Sequence, residues 1–422
     1  MNAPTLRMVL RYTLSRRTLR ARLTGPLHGL ELVWIRIRHC LLYAAITLAM
    51  AFAQQTFLQS SLGQMTIEKE LDLLFWARGP IAPPAHTTVV AIDDQTHNYL
   101  KIPVNQAFPR ETLAAGLESL ARLKPRRVVI DFGMKDRLEP QTDKRLARAL
   151  SLSPTIIGHS TDRVLSFGPD GSKQFKHEWF YSDPLFQNAA AGSFPMKVRL
   201  DNGVVRRFRH DERFEQFMPS GAATVFDEPY TSHKLPTERD FINYYGPPGT
   251  IETVPFYVLL EKDGGVPEAL IRDRVIFLGI RTNLTPGPNS KDVFTTSYIG
   301  TIMFGVDIHA TIGSNIMDES WIKRSSPERE DFMLFTICAA GTLALLMARG
   351  VWLVAVLCGI LGGVICSTIR EFGKGLFVPS MTLLIVMPLA AGISLLLVQL
   401  KARAQKKYEI RLYGIEEAEL RC

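Results

Sequence analysis

No cysteine lies between residues 59 and 331; the five in this 422-residue chain are Cys40, Cys338, Cys358, Cys366 and Cys422. That gap excludes a disulfide framework and a cysteine-type zinc site from the middle of the chain. A stretch of that length needs neither, because about 270 residues bury enough apolar surface to hold a fold alone. Several enzyme signatures are also missing: Gly-x-x-x-x-Gly-Lys-Ser/Thr, Gly-x-Gly-x-x-Gly, Gly-x-Ser-x-Gly and His-Glu-x-x-His. No nucleophile–base pair is readable, so no catalytic residue, metal ligand or cofactor is assigned and an enzyme is not expected.

Acid is scarce at one end. Residues 1–40 hold eight Arg against Glu31 alone, whereas residues 59–331 hold 32 basic and 35 acidic residues. Residues 401–422 hold six basic and four acidic. The net charge of +8 therefore belongs to the ends, which disfavours a nucleic-acid-binding body. With 46% apolar and 21% charged residues, wholesale disorder is excluded.

Charge is absent altogether from four apolar runs: 41–58, 332–348, 351–369 and 376–400. Each is near the roughly 20 residues that cross a hydrocarbon core. Gly359, Gly362, Gly363 and Ser367 give the 351–369 run a small-residue face for close helix contact. The 41–58 run reads as an uncleaved signal anchor. A cleaved signal peptide is the alternative, since Ala51-Phe52-Ala53 suits cleavage, but a 40-residue basic leader is long for one. The positive-inside rule then keeps 1–40 and the 401–422 tail in the cytoplasm and places 59–331 outside it.

That central module alternates strand and helix. Thr66 to Ala77 reads as an amphipathic helix. Thr87 to Asp93, Arg127 to Phe132, Thr155 to His159 and Val275 to Ile280 read as strands. Arg110 to Leu123, Thr142 to Leu150 and Phe304 to Met317 read as helices; in the first, Leu113, Leu117, Leu120 and Leu123 share a face. Pro219 to Val225 looks like a helix start, and Phe241 to Tyr245 a strand stopped by Gly246-Pro-Pro-Gly249. Ser193 to Arg199 and Val204 to Arg209, around Asp201-Asn202-Gly203, predict a β-hairpin. The expected fold is α/β: a largely parallel sheet with helices on both faces and an added hairpin, plus one N-terminal and three C-terminal transmembrane helices.

Parallel strands put their C-terminal ends on one rim, where open α/β sheets bind ligands. Asp93, Asp94 and Asp131 stand at such ends. With Arg110, Asp292 and His309 they form the candidate ligand-binding set. The alternative is structural: Asp as a helix cap, Arg110 paired with Asp131, and His309 as a satisfied helix histidine.

An ordered series of motifs carries a resemblance. It comprises Asp72-Leu-Leu-Phe75, Val89-Val-Ala-Ile-Asp-Asp94, Phe108-Pro-Arg110, Val128-Val-Ile-Asp-Phe132, Asp201 to Arg207 (DNGVVRR) and Asn243-Tyr-Tyr-Gly-Pro-Pro-Gly-Thr250. It continues through Val275-Ile-Phe-Leu-Gly279, Asp292 and Gly305-Val-Asp-Ile-His-Ala310. The chain resembles the CHASE-type extracellular sensor domain of the second class. It departs from it at Ala107-Phe108-Pro109, where a Trp-Pro element is usual, and at Asp131-Phe-Gly-Met134, where Asp-x-x-Phe is usual. The resemblance implies a bacterial receptor of the inner membrane, multi-pass, sensing an unidentified stimulus outside the cytoplasm. The family's cytoplasmic output domain has no counterpart in 401–422, so enzymatic activity is not carried over.

The function expected is a transmembrane sensor or signalling subunit that relays an external stimulus to a separate partner. A structural anchor of an envelope complex and a periplasmic enzyme using the acidic rim are the alternatives. The partners expected are the membrane, an unknown extracytoplasmic ligand or protein, a separate cytoplasmic or membrane effector and, as an option, a second copy of the chain. Nucleic acid is not among them.

Overall fold

A computed structural model describes residues 41, 44–45, 48–49, 51–104, 106–208, 235–261, 265–282, 292–298, 301–347 and 351–380. The expected leader, residues 42–43, 46–47 and 50 of the 41–58 run, the helix start at Pro219, residues 381–400 of the last run and the tail lie outside these. The chain divides into two units: residues 68–325 with 366–379, and the remainder.

The larger unit begins within α1 (Ser61–Arg78). Its strands and helices follow as β1 (Thr87–Asp93), α2 (Asp94–Leu100), α3 (Arg110–Arg122), β2 (Arg127–Ile130), α4 (Pro140–Leu150) and β3 (Thr155–Phe167). Then come β4 (Lys173–Phe180), α5 (Pro184–Gln187), β5 (Gly192–Pro195), β6 (Val204–Val205), β7 (Thr253–Pro255) and β8 (Val275–Arg281). β9 (Val293–Thr296), β10 (Ile302–Phe304), α6 (Gly305–Met317) and β11 (Lys323–Arg324) complete its main stretch.

Seven strands form the central sheet in the order β4-β3-β2-β8-β1-β7, with β5 also on β3. Every pairing is parallel except β3 with β4. The parallel strands are buried on both faces, so they read as continuous apolar runs. Alternation still sorts their side chains. Val90, Ile92, Val128, Ile130, Ile276 and Leu278 meet Leu113, Leu117 and Leu120 of α3 and Leu146 and Leu150 of α4. Val89, Ala91, Val129 and Phe277 meet Val306 and Ala310 of α6 on the opposite face. Helices thus cover both faces, as the alternating pattern predicts.

Three expectations are corrected. Asn202 and Gly203 do take left-handed φ of 51° and 80° in a tight turn, with Asp201 and Val204 bridged across it. The flanking segments are not each other's partners: β5 joins β3 and β6 joins β9, both in parallel. The antiparallel hairpin is instead β3–β4, because β3 runs eight residues past His159 and turns back at 168–172. Phe241 to Tyr245 is no strand; only Phe241 bridges, to Arg207 and Ile322, while Asn243 N donates to the Asn315 side chain and Asn243 Nδ2 to Ser320 O.

The other unit holds α7 (Pro327–Met347) and the start of α8 (Val351–Gly373). Residues 51–59 are helical too, and Ala51 packs with Leu334, Ile337, Cys338, Leu357 and Ile360. Among the described residues one stretch, Ala355–Gly373, is long and apolar enough to cross a membrane. The third correction lies just beyond it. Gly375, at φ 82°, turns the chain, and Leu376–Phe377 forms β12, paired in parallel with β11. Ser325 N donates to Phe377 O at 2.9 Å, and Phe377 is fully buried against Phe241. The first residues of the 376–400 run are therefore apolar because they belong to the module's core.

Candidate functional site

Parallel β1, β8 and β2 lie side by side, so their C-terminal ends share a rim where Asp93 stands opposite Arg281 in register. Asp131 follows β2 directly, its N–H bonded to Leu278 O at 2.8 Å. α6 crosses this rim at close range because β8 offers Gly279: a Cβ there would fall 2.6 Å from that of Val306 and 3.2 Å from that of Asp131. The crossing brings His309 over Asp131, with Nε2 3.6 Å from Oδ1 and both side chains buried.

Each group is held differently. His309 Nε2 donates to Met196 O at 2.8 Å, and Phe194 meets the ring edge-on. Burial lowers the His309 pKa to about 4, against a smaller upward effect of the Met196 carbonyl, so the imidazole is neutral near pH 7. Burial raises the Asp131 pKa well above the carboxylate range, and the charge of Asp292 adds to this. Asp292 is exposed as a residue, yet its carboxylate is tucked over Gly305, whose N–H bonds Asp292 O at 3.0 Å. Lost hydration there raises its pKa to about 6. Asp131 Oδ2 and His309 Nδ1 find no hydrogen-bond partner among the described residues.

Of the six candidate residues the structure gathers three: Asp131, Asp292 and His309. Asp93 ends its strand on the same rim but is taken by a capping role, accepting from Thr96 N and Oγ1, both at 2.8 Å. Asp94 is half-buried in the first turn of α2. Arg110 lies elsewhere: it donates to Asp143 Oδ1 at 2.6 Å and to Asp136 O, and sits over the Phe186 ring. Pairing of Arg110 with Asp131 is thus corrected to a lock between α3 and α4. Asp143 could not be singled out in the sequence, because it is one more charge on an amphipathic helix.

Two residues of the cluster, Asp307 and Arg281, were not among the six candidates. Asp307, in the first turn of α6, is buried with Arg281 Nε 3.3 Å from its Oδ2. Burial raises its pKa, while Arg281 and the Phe304 N–H oppose that. The signal was present in Gly305-Val-Asp-Ile-His, two ionisable groups inside a helix otherwise apolar over a full turn. Thr282, Thr296 and Ser297, at the ends of β8 and β9, also bury hydroxyls without a partner among the described residues.

A second polar cluster joins α1 to the module. Arg206 grips Asp72 with two hydrogen bonds, Nε to Oδ1 at 3.0 Å and Nη2 to Oδ2 at 2.7 Å. Its Nη1 reaches Asp201 O at 2.8 Å, and Arg207 pairs with Asp201 at 2.8 Å. Asn202 closes the ring onto Glu68 at 2.8 Å. The Asp-Leu-Leu-Phe and Asp-Asn-Gly-Val-Val-Arg-Arg motifs therefore meet in space. At the C-terminal end of α1, Arg78 donates to Asn243 Oδ1 at 2.7 Å and Tyr244 O at 2.6 Å, and Asn243 N donates to Asn315 Oδ1 of α6 at 2.7 Å. α6 thus has one end in the carboxylate–imidazole cluster and the other bonded, through Asn243, to α1.

The CHASE2 domain family model matches residues 44–357, taking in both clusters and every element from α1 to α7. No curated protein and no solved structure matches the chain.

Proposed function

The chain belongs to the CHASE2 domain family, whose members are extracellular sensory domains, and on that premise we propose that it is a multi-pass receptor of the bacterial inner membrane. In this reading the module of residues 59–331 faces the periplasm or the exterior, and the rim at Asp131, Asp292 and His309, with Asp93 and Asp94 beside it, receives the stimulus. The chain is a signalling subunit and not an enzyme. It relays to a separate effector through its membrane helices.

One observation carries the relay: α6 touches the rim at Asp307 and His309 and reaches α1 through Asn315, Asn243 and Arg78. A buried helix in a close-packed core moves as a body, so a shift at one end is felt at the other. Large apolar side chains left exposed on the helices, among them Phe52, Phe332, Leu343 and Trp352, support a lipid environment.

The test is hydrogen exchange on the full chain in lipid nanodiscs. Asp131→Asn at a fixed pH should change protection in α1 as well as in α6, and Asn315→Ala should uncouple α1 from that change. If Asp131→Asn alters α6 alone, the relay is wrong and a constitutive anchor is the better reading.

A further inference from the structure

β3 leaves the parallel sheet at His159, whose pair is Pro195 of β5, and its ladder with β4 starts one residue later. From there eight pairs, Ser160 with Phe180 through Phe167 with Lys173, form a ribbon of two strands among the described residues. Its tip is locked. Gly168 N donates to Ser172 O at 2.8 Å, and Asp170 Oδ1 accepts from Ser172 N and Oγ at 3.1 and 2.6 Å. A two-stranded ribbon is marginal in water; further strands and a shared apolar face are what stabilise it. Here Leu165 and Phe175 stand opposite each other in register, 43% and 59% exposed, and Phe167 at the tip is 65% exposed. The outer edge of β4 has no strand beside it among the described residues, over eight positions without a proline or a bulge. An edge of that kind is a template for another strand.

The sequence of this edge is complementary to itself. A second copy of β4, laid antiparallel about a two-fold axis perpendicular to the ribbon, keeps both faces as they are. With the axis at residue 177, Lys176 lies opposite Glu178 of the second copy, and Glu178 opposite its Lys176; both are exposed. The same register sets Phe175 opposite Trp179 of the second copy, which carries the row of Leu165 and Phe175 across the junction. Moving the axis to 176 or 178 sets lysine against lysine or glutamate against glutamate, and like charges directly opposite destabilise a ladder.

We propose that β4 is the interface between two copies of this chain, paired antiparallel about residue 177. The pairing satisfies the backbone groups of both edges and turns two marginal ribbons into one of four strands, ordered β3-β4-β4-β3. Phe175 and Trp179 supply apolar contact, and the two symmetry-related Lys–Glu contacts select the register. The interface is independent of what the strand-end rim receives.

The experiment is disulfide cross-linking of the full chain in membranes, with the five native cysteines changed to serine. His177→Cys lies on the axis, so its Cα falls roughly 4.5–5.5 Å from its counterpart, within disulfide reach, and the chain should cross-link to a dimer. Gln174→Cys lies ~20 Å from its counterpart in this register and should not cross-link. In the His177→Cys background, Lys176→Glu or Glu178→Lys alone should slow cross-linking by about tenfold, because symmetry counts each like-charge pair twice. The double swap Lys176→Glu, Glu178→Lys should restore the rate to within about twofold, which separates a lost contact from a disturbed ribbon. No cross-link at 177, or equal cross-linking at 177 and 174, overturns the proposal and leaves the edge to another occupant. Unchanged rates in both single swaps overturn it as well. None of these results bears on the α6-to-α1 coupling, which stands on its own test.

Discussion

At the scale of single residues, the two groups with the clearest shifts pull stability in opposite directions. Asp292 has a folded-state pKa raised to about 6 from 3.8, so its contribution is present below about 4 and is lost as pH rises through 6. His309 has a folded-state pKa lowered from 6.5 to about 4, so its contribution is present above 6.5 and is lost as pH falls through 4. For His309 the shift amounts to roughly 3 kcal/mol, given its full burial. Between pH 4 and 6 the two slopes oppose each other. His309→Gln, which keeps a donor for Met196, should therefore give a melting temperature that falls as pH rises across that interval, steeper than in the unaltered chain. Thermal unfolding followed by fluorescence in nanodiscs at stepped pH reads this directly; equal slopes would deny His309 its buried, neutral state. The Arg206–Asp72 pair gives a second residue-level expectation. Asp72→Asn leaves a guanidinium that is 1% exposed with Glu68, 3.4 Å away, as its remaining ion-pair partner and should cost about 1–3 kcal/mol, whereas the double change Asp72→Leu, Arg206→Met should recover part of that. Asp131 and His309 were legible because strand ends and a histidine inside an apolar helix stand out. Arg281 was hidden, since its partner Asp307 lies 26 positions away and nothing local marks the pair.

At the scale of elements, periodicity located the strands and helices, and pairing was what it could not supply. β1, β8, α3 and α6 follow from apolar runs and leucine spacing, each within one or two residues of its observed limits. The Asp201 turn was also real, yet a turn fixes only the two residues beside it. Where β5 and β6 go next is decided by β3 and β9, which offer longer ladders. β3 itself was cut short because Ser160-Thr-Asp-Arg163 sets four polar residues in a row, which ends the apolar run that marks a buried strand. The contact of α6 with β8 gives the test at this scale. Gly279→Ala must displace Val306 or Asp131, and overpacking of that kind costs about 1–3 kcal/mol. Urea unfolding should show that loss together with raised exchange in α6. An alanine tolerated without either effect would mean that the helix is not seated where the glycine permits.

At the scale of the whole molecule, the proposed topology makes a labelling prediction. In a cysteine-free background, Lys124→Cys should react with an impermeant maleimide added outside intact spheroplasts, and Arg403→Cys only after permeabilisation. Reversed reactivity would invert the receptor. The four apolar runs were plain in the sequence, but composition does not distinguish a residue wanted by lipid from one wanted by a protein core, and Phe377 is of the second kind. The two-residue ladder of β11 and β12 is, in effect, a belt buckle. It fastens Lys323–Arg324 to Leu376–Phe377, so the intervening helices start and finish at one notch on the module. Unfastened, it would release ~7 Å of chain, two extended residues, at Leu376–Phe377.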